Sequence, residues 1–531
     1  MPTKLYNWQL NNQIKQSKMR KIVLIALIGI AQLSYAQLVP SDVQVRYALQ
    51  LLGKNLKAHQ AKNIADVLDP SFHIAEYRDR DVLNVLPQLI NPVMLDTVYY
   101  ESITQRNGKI YAKQIAVPKS GPKMAAWVRM NHLLLFERIG HFEQLMGLGD
   151  PVFQELQPAK LLATVPIKRS SAMMFLEMGI AGSNKKYHFL FDSGAGATSI
   201  SEAVAKDLKL TVNEKAIDIK TAGKGGQFKT VDSLALTVGD VKIRGKQLVV
   251  ADLNLLEKTV GHKMDGIIGF DFLKDYQVAV NLDQNQLSIY NFGYFEKAEQ
   301  HVLPIKLTNN IPKINTTLTI NGINYNSILL FDTGAGGSIY GNYFLNAYAR
   351  GLVDKLKNKK ASGSASMDLS GKISKSEMGT IDAISIAGLT LKGPTIAIDV
   401  PEVQPAYGFE RHGLLGMTLI GKFNFTFNYS LNYISISPNQ VFAVPLVPLY
   451  ALGLGFEKKD EKFLVSNIDE NGLAFKAGLR NGDEIVSVNQ INPTSVDEIT
   501  QQLRVLAQRK INVEVNRKQQ KLKLELKKLS I

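Results

Sequence analysis

The sequence contains no cysteine and only two tryptophans among its 531 residues. Without cysteine the chain can form no disulfide bond, carry no lipid on a thiol and build no thiolate zinc site. The eight histidines are scattered and do not form the His-Glu-x-x-His pattern of a metal-binding helix. We therefore expect stability to come from packing alone, and we predict neither a metal nor a cofactor.

The sequence also lacks an apolar run long enough to span a membrane. An apolar run near the N-terminus, residues 22–33, is shorter than the roughly 20 residues that a membrane-spanning helix needs. Basic residues precede this run, and Ser34-Tyr35-Ala36 follows it. This order predicts a secretory signal peptide over residues 1–36, cut after Ala36, rather than a membrane anchor. Met19 is an alternative start. We expect a periplasmic or secreted protein with no transmembrane segment after the signal is removed.

The formal net charge is +15, and it falls to +10 when the five basic residues of the predicted signal are subtracted. The remaining excess is spread along the chain and is not interleaved with aromatic residues, so we predict no nucleic-acid partner. A hydrophobic fraction of 45% and a charged fraction of 21% are typical of globular domains. The length is sufficient for three or four of them.

One motif occurs twice, first as Asp192-Ser193-Gly194-Ala195 and again from Asp332 to Ala335. Each copy follows an apolar run that predicts a buried strand. The flanking segments repeat in the same order: residues 165–168 and 303–306 upstream, then 234–239 and 383–388, 266–269 and 413–416, and 287–290 and 434–437 downstream. The duplication predicts two lobes of one mainly β fold.

The paired Asp-Ser/Thr-Gly-Ala motif, each copy with a later apolar-apolar-Gly segment, resembles the aspartic proteases, and the retropepsin-like branch most closely. The likeness spans roughly residues 165–438. It implies two pseudo-symmetric acid-protease lobes, each supplying one catalytic aspartate at their interface. The implied catalytic pair is Asp192 and Asp332, with loop support from Ser193, Gly194, Thr333 and Gly334. The hydroxyls of Ser193 and Thr333 would cross-link the two loops.

Two carboxylates about 3 Å apart cannot both ionise, so such a pair shares one proton. One member can then accept a proton from water while the other donates a proton to the substrate carbonyl. The sequence does not assign these two roles to Asp192 or Asp332. Ala195 and Ala335 offer no hydroxyl to stabilise the charged carboxylates, so we predict higher pKa values than in pepsin-like enzymes and activity toward neutral pH. A dinucleotide-binding turn is disfavoured because the third glycine is missing.

Between the aspartate motif and the apolar-apolar-Gly segment, each half carries a loop of small residues, at 221–226 and 362–366. In the family such a loop is a flap that closes over the substrate, and glycine supplies the hinge freedom. An ordinary hairpin tip is the alternative. The candidate flap residues are Gly223, Gly225, Gly226 and Gly363.

Residues 37–160 have a different pattern, with helical periodicity over 43–65 and strand-like segments at 97–100 and 109–112. Helices followed by antiparallel strands resemble the nuclear-transport-factor-2-like fold. We predict an accessory α+β domain, without a role that the sequence identifies.

The pattern changes again after residue 445, where strands, a Gly-rich turn and an amphipathic helix from Val496 resemble a PDZ domain. In that family a loop binds a peptide C-terminus through its backbone amides, and the ligand adds a strand beside it. The matching residues here are Gly453, Leu454, Gly455 and Phe456. Internal docking is the alternative to peptide binding.

Together these features predict an aspartic endopeptidase that is active as a monomer on polypeptide substrates and binds peptide or protein termini through its PDZ domain. The alternative is a catalytically silent peptide-binding protein that acts through the PDZ domain. The predicted domains are the signal peptide at 1–36, the accessory domain at 37–160, the first protease lobe at 161–300, the second at 301–445 and the PDZ domain at 446–531.

Overall fold

The computed structural model describes residues 40–170, 172–219, 226–232, 234–244, 247–295, 301–342, 345–346, 351–367, 373–399, 412–446, 453–459, 461–466, 468–470, 472–493, 496–504 and 510–527. The predicted signal peptide lies outside these residues. The chain forms two compact units, Met1–Phe153 and Gln154–Ile531. No helix in the described part of the chain is both long and apolar enough to cross a membrane.

The N-terminal unit packs helices on a four-stranded antiparallel sheet with the strands in chain order. Its elements are α1 (Asp42–Lys57), α2 (Ala61–Ala65), β1 (His73–Ile74), β2 (Tyr77–Arg78), α3 (Arg80–Ile90), β3 (Leu95–Arg106), β4 (Lys109–Pro118), β5 (Met124–Met130), β6 (Phe136–Ile139) and α4 (Gly140–Leu145), with α5 (Pro151–Glu155) at the boundary. Ser41 caps α1 and forms a capping box with Gln44. Leu49 and Leu52 of α1 are buried in the core that the helices share with the sheet.

The first lobe begins the second unit. Its elements are β7 (Leu161–Pro166), β8 (Lys168–Ser170), β9 (Met173–Ile180), β10 (Lys186–Phe191), β11 (Ser199–Ser201), α6 (Glu202–Asp207), β12 (Ile217–Ile219), β13 (Gly226–Asp232), β14 (Ala235–Val238), β15 (Val241–Arg244), β16 (Gln247–Ala251), α7 (Asn254–Val260), β17 (Gly266–Ile268), α8 (Phe270–Leu273), β18 (Gln277–Asn281) and β19 (Gln286–Tyr290). In β14 and β19 buried residues alternate with more exposed ones, as the period of a strand requires.

The second lobe repeats this order with β20 (His301–Thr308), β21 (Ile311–Ile320), β22 (Ile323–Phe331), β23 (Ile339–Gly341), α9 (Leu352–Lys355), β24 (Lys357–Met367), β25 (Ile373–Thr380), β26 (Ala383–Ile386), β27 (Leu389–Lys392), β28 (Thr395–Asp399), β29 (Gly413–Leu415), α10 (Met417–Ile420), β30 (Phe423–Asn428) and β31 (Tyr433–Pro438). In both lobes the short apolar-apolar-Gly strand lies between two others. Strand β17 is parallel to β10 and antiparallel to β11, and β29 is related in the same way to β22 and β23. The predicted mainly β fold with two pseudo-symmetric lobes is confirmed.

A shared sheet joins the lobes in the order β7-β19-β18-β30-β31-β20. The central pair, β18 and β30, is antiparallel, with Val278 opposite Phe427. Phe427 also contacts Phe191 and Phe331 edge to face, with ring centroids 5.9 and 5.8 Å apart. Because Phe191 and Phe331 each precede a motif aspartate, this aromatic cluster holds the two motifs at the lobe interface.

The C-terminal domain is a five-stranded antiparallel sheet with its own apolar core. It contains β32 (Gly455–Lys459), β33 (Lys462–Ser466), α11 (Leu473–Lys476), β34 (Glu484–Val488), α12 (Val496–Arg504), β35 (Ile511–Arg517) and β36 (Gln520–Leu526). Strand β32 is at the edge of the sheet and pairs only with β33 among the described strands. Helix α12 lies beside β32.

One local expectation differs from the structure. Residues 362–366 were expected to form a loop of small residues, but they lie within β24, which pairs with β25. Main-chain hydrogen bonds between strands do not require large side chains, so a run of serine, glycine and alanine can continue a strand when its partner is long.

Candidate active site

The two motif aspartates occupy equivalent places at the ends of β10 and β22. The main-chain N–H of Asp192 donates to the carbonyl of Ile268 at 2.9 Å, and that of Asp332 donates to the carbonyl of Leu415 at 3.0 Å. Each aspartate is thus fixed by the apolar-apolar-Gly strand of its own lobe. This explains why the sequence repeats these two elements together.

The hydroxyl residues after the aspartates link the two loops. The Ser193 Oγ donates to the carbonyl of Phe331 at 2.6 Å and accepts from the N–H of Thr333 at 3.1 Å. Reciprocally, the Thr333 Oγ1 donates to the carbonyl of Phe191 at 2.9 Å and accepts from the N–H of Ser193 at 2.9 Å. Both side chains are almost completely buried. Because the site is buried, water does not compete for these four hydrogen bonds, and they hold the two loops in one relative position.

The glycines that follow allow the carboxyl groups to approach the opposite loop. Within each loop the glycine N–H donates to the aspartate Oδ1, at 2.7 Å for Gly194 and 2.9 Å for Gly334. A methyl group added to Gly194 would lie 2.8 Å from the carboxylate of Asp332, and one added to Gly334 would overlap that of Asp192. Each carboxylate therefore lies over the glycine of the other lobe, and only glycine leaves that space free.

The two carboxyl groups are electrostatically coupled. Burial, followed by the charge of Asp332 and a hydrogen bond with it, raises the pKa of Asp192 well above its ordinary value. Hydrogen bonds from the amides of Gly194 and Gly334 oppose this rise in pKa. A carboxyl pair with this environment retains one proton where isolated carboxylates would have none, and so contains an acid and a base side by side.

Further contacts stabilise the aspartate loops, and the sequence did not single them out. Phe270 donates its N–H to the carbonyl of Ala195 at 3.0 Å, and Met417 donates to that of Ala335 at 2.7 Å. In the first lobe, both the N–H and the Oγ1 of Thr198 donate to Asp271, at 2.9 and 2.8 Å. The sequence feature that could have identified Asp271 is its position two residues after the repeated apolar-apolar-Gly segment.

The candidate flap glycines are only partly described. Gly223 and Gly225 lie outside the described residues. Gly226 begins β13, and Gly363 lies in β24 opposite Ser376. Their role as a flap therefore stays a prediction.

The candidate peptide-binding residues lie together at the start of the edge strand β32. Gly453 has a φ of 69°, in the left-handed region that favours glycine. Its carbonyl accepts the N–H of Asp469 at 2.6 Å, which links this loop to the segment between β33 and α11. Leu454 and Phe456 pack against the domain core. The edge of β32 that no described strand covers lies beside α12, which is the geometry that strand addition by a peptide requires.

No group of three or more histidine, aspartate or glutamate side chains among the described residues is arranged to hold a metal ion.

Comparison with known proteins identifies two parts of the chain. Residues 177–275 match the family model described as "gag-polyprotein putative aspartyl protease", and residues 451–527 match the model of the PDZ domain. No curated protein matches the sequence. Among solved structures, the aspartic proteinase from Irpex lacteus is similar over 53% of this chain and 98% of that chain, with 12% identity and a TM-score of 0.34. The predicted resemblance to retropepsin-like aspartic proteases and PDZ domains is confirmed, and the first match supports a protease hydrolase.

Proposed function

We propose that this protein is an extracytoplasmic aspartic endopeptidase that hydrolyses polypeptides between its two lobes. The observation that carries the proposal is the placement of the Asp192 and Asp332 carboxyls, each over the glycine of the opposite loop. The hydrogen bonds between Ser193 and Thr333 support it, because they fix the distance between the two carboxyls. Both half-sites belong to one chain, which supports activity as a monomer.

In the proposed reaction the ionised carboxylate takes a proton from a water molecule, whose oxygen bonds to the carbonyl carbon of the substrate. The protonated carboxyl gives its proton to the carbonyl oxygen. In the second step the C–N bond breaks as the nitrogen receives a proton from the first carboxyl, and the diol returns a proton to the second. The pair regains its single proton. The raised pKa of Asp192 supports activity toward neutral pH.

For the PDZ domain we propose capture of peptide or protein C-termini. The loop from Gly453 to Phe456 would receive the carboxylate through its amides, and the edge of β32 would receive the peptide backbone. This domain would hold substrate termini or control access to the lobes. Residues 15–36 support export across the cytoplasmic membrane, which N-terminal sequencing of protein from the extracytoplasmic fraction would test.

The test of the peptidase is incubation of the chain from residue 37 with a mixed peptide library between pH 3 and 8. We expect internal cleavage by the unaltered chain, and loss of cleavage by at least about a thousandfold in Asp192→Ala and Asp332→Ala. Asp207→Asn is a matched control, since Asp207 is an exposed aspartate of the first lobe that pairs with Lys185. If the parent chain cleaves nothing but binds peptides as well as the variants do, the catalytically silent alternative is correct.

A further inference from the structure

Each strand that leads to an aspartate is held by two hydrogen bonds to the residue before the apolar-apolar-Gly segment. In the first lobe the N–H of Asp265 donates to the carbonyl of His188, and the N–H of His188 donates to the Oδ2 of Asp265, both at 2.8 Å. In the second lobe the N–H of His412 donates to the carbonyl of Ile328 at 2.8 Å, and the N–H of Ile328 donates to the Nδ1 of His412 at 3.1 Å. His188 and Ile328 each precede the aspartate of their lobe by four residues, so the two contacts are structural counterparts.

The acceptor side chains of these two contacts differ in chemistry. The carboxylate of Asp265 accepts through oxygen, whereas an imidazole nitrogen accepts a hydrogen bond only when it carries no proton. Because a main-chain N–H can only donate, the Nδ1 of His412 is the unprotonated ring nitrogen and Nε2 carries the ring hydrogen. A second proton, added at Nδ1, would turn the acceptor into a donor and place it against the N–H of Ile328. The second-lobe contact is therefore incompatible with a charged His412.

The surroundings of His412 favour its neutral form. Burial lowers its pKa, and no charged side chain in the described part of the chain contributes to this shift. The residues beside it in the adjoining strands are uncharged. Asn342, after β23, donates its N–H to the carbonyl of His412 at 3.0 Å, and Asn315 of β21 lies opposite Ile328 of β22. The ring thus stays neutral to a lower pH than an exposed histidine, and in acid it becomes charged beside an N–H donor.

The contact of His412 belongs to the strand pairing that positions Asp332. Strand β29 contains three residues and is parallel to β22. Its last residue, Leu415, accepts the N–H of Asp332 at 3.0 Å. The contact between Ile328 and His412 lies at the other end of this short pairing, directly before the first pair of strand residues. Loss of this contact would consequently weaken the pairing that fixes the second aspartate.

We propose that His412 is a positioning residue that holds β22 against β29 only while its Nδ1 carries no proton, which makes the second aspartate loop sensitive to acid. The first loop should keep its contact, because Asp265 supplies the acceptor there through a carboxylate. The effect on catalysis rests on the proposed peptidase function, since cleavage should decline toward acid as Asp332 loses its fixed position. The lobes would then respond differently to pH although they are nearly symmetric in fold.

The test is site-resolved amide exchange measured by NMR on the ¹⁵N-labelled chain from residue 37, at pH 7 and pH 4.5. Each rate is divided by the intrinsic exchange rate at the same pH, which gives a protection factor. In the parent, the protection of the Ile328 amide should fall about fivefold to tenfold in acid, the effect of losing one hydrogen bond. The protection of the His188 amide, which donates to Asp265, should not fall.

His412→Asp gives the second lobe the acceptor of the first, and the Ile328 amide should then stay protected at both pH values. His412→Asn, whose amide oxygen also accepts, should behave in the same way without adding a charge. In both variants the decline of kcat/KM toward acid should be smaller than in the parent. His301→Gln is the matched control in the same lobe. The Nδ1 of His301 lies 3.1 Å from the carbonyl of Ala387, to which it can only donate, so protonation does not remove that contact.

The ¹⁵N shifts of the His412 ring identify the nitrogen that carries the hydrogen, and we expect Nε2 at pH 7. A hydrogen on Nδ1 at pH 7, or equal protection of the Ile328 amide at both pH values in the folded parent, would overturn the proposal. Equal acid limbs of kcat/KM in the parent and His412→Asp would overturn the positioning role in catalysis. A parent chain that cleaves no peptide would refute the proposed function, while amide exchange would still decide whether the contact of His412 depends on pH.

Discussion

Ser193 and Ser199 are two buried serines of the first lobe whose hydroxyls differ in their hydrogen bonding. Ser193 takes part in the bonds between the loops, whereas the Ser199 Oγ has no hydrogen-bond partner. Ser193→Ala would leave the carbonyl of Phe331 and the N–H of Thr333 without these partners, at a cost of about 2–4 kcal/mol. We expect Ser199→Ala to be neutral or slightly stabilising, because it removes a buried hydroxyl that has no hydrogen-bond partner. Denaturant unfolding monitored in the lobes measures both, and equal losses would contradict the role of Ser193.

Asp192 should reduce stability at neutral pH, because burial and Asp332 raise its pKa in the folded protein. As pH rises above the ordinary aspartate pKa, Asp192 loses its proton in the unfolded chain but keeps it in the folded chain. The free energy of unfolding therefore falls. We predict that Asp192→Asn has a higher unfolding free energy than the parent at pH 7, and that this advantage shrinks toward pH 4. Thermal unfolding across this range measures the difference. An advantage that grows toward acid would disprove the raised pKa.

At this scale the sequence predicted the two aspartates and their hydroxyl and glycine neighbours, because a repeated motif marks them. It did not predict Asp271. Asp271 contacts Thr198, which lies 73 positions earlier in the chain. This pairing depends on tertiary packing, because the place of Asp271 after the repeated segment does not specify its partner.

Among the elements, strand–loop units with strong apolar periodicity were predicted best. The strands before both aspartates and the amphipathic α12 follow directly from the pattern. Helix α3 was not predicted, and it contains Pro87. Proline usually ends a helix, but in this case packing of Val82, Leu86 and Ile90 into the core stabilises the helix. Strand β24 was also not predicted, because its small residues at 362–366 suggested a loop.

The loop before β32 provides a test at the scale of one element. Gly453 and Gly482 both have positive φ angles, of 69° and 83°. A methyl group on Gly453 would lie 2.8 Å from the Cα of Gly472 and 2.9 Å from the Cβ of Asp469, whereas one on Gly482 meets nothing within 4 Å. Alanine at either position pays about 1 kcal/mol of backbone strain. Only Gly453→Ala also distorts the loop.

We therefore predict that Gly453→Ala weakens peptide binding by the full chain at least about tenfold, whereas Gly482→Ala weakens it little. Fluorescence anisotropy with apolar peptides, each with a free or an amidated C-terminus, measures binding. The free carboxylate should bind more tightly in the parent, and Gly453→Ala should remove that preference. If Gly453→Ala binds both peptides as the parent does, this loop is not the carboxylate site.

For the whole molecule, the two compact units have separate apolar cores. One core unites the helices and sheet of residues 45–142, and another unites the two lobes around the shared sheet. The order of lobes and C-terminal domain could be predicted from repeats and motifs. The shared sheet could not, because its central β18–β30 pair joins segments nearly 150 residues apart, and nothing local in either strand specifies the other. Separate cores predict separate unfolding transitions.

His141 makes the stability of the N-terminal unit depend on pH. Burial lowers its pKa to about 4, and burial also lowers that of His73. At neutral pH His141 is uncharged in both states. As pH falls below the ordinary value of 6.5, the unfolded chain binds a proton that the folded chain resists until about 4. His141 alone should therefore cost this unit about 3 kcal/mol between these limits.

Calorimetry from pH 7 to pH 4 should thus show the transition of the N-terminal unit moving to lower temperature. Burial raises the pKa of Asp150, which opposes this trend. The contribution of His141 is therefore measured as the difference in unfolding free energy between His141→Gln and the parent. As pH falls to 4, we expect the unfolding free energy of His141→Gln to rise by about 3 kcal/mol relative to that of the parent. His132→Gln, at an exposed position of the same unit, is the matched control and should follow the parent. Parallel curves for His141→Gln and the parent would show that His141 is not held neutral by the fold.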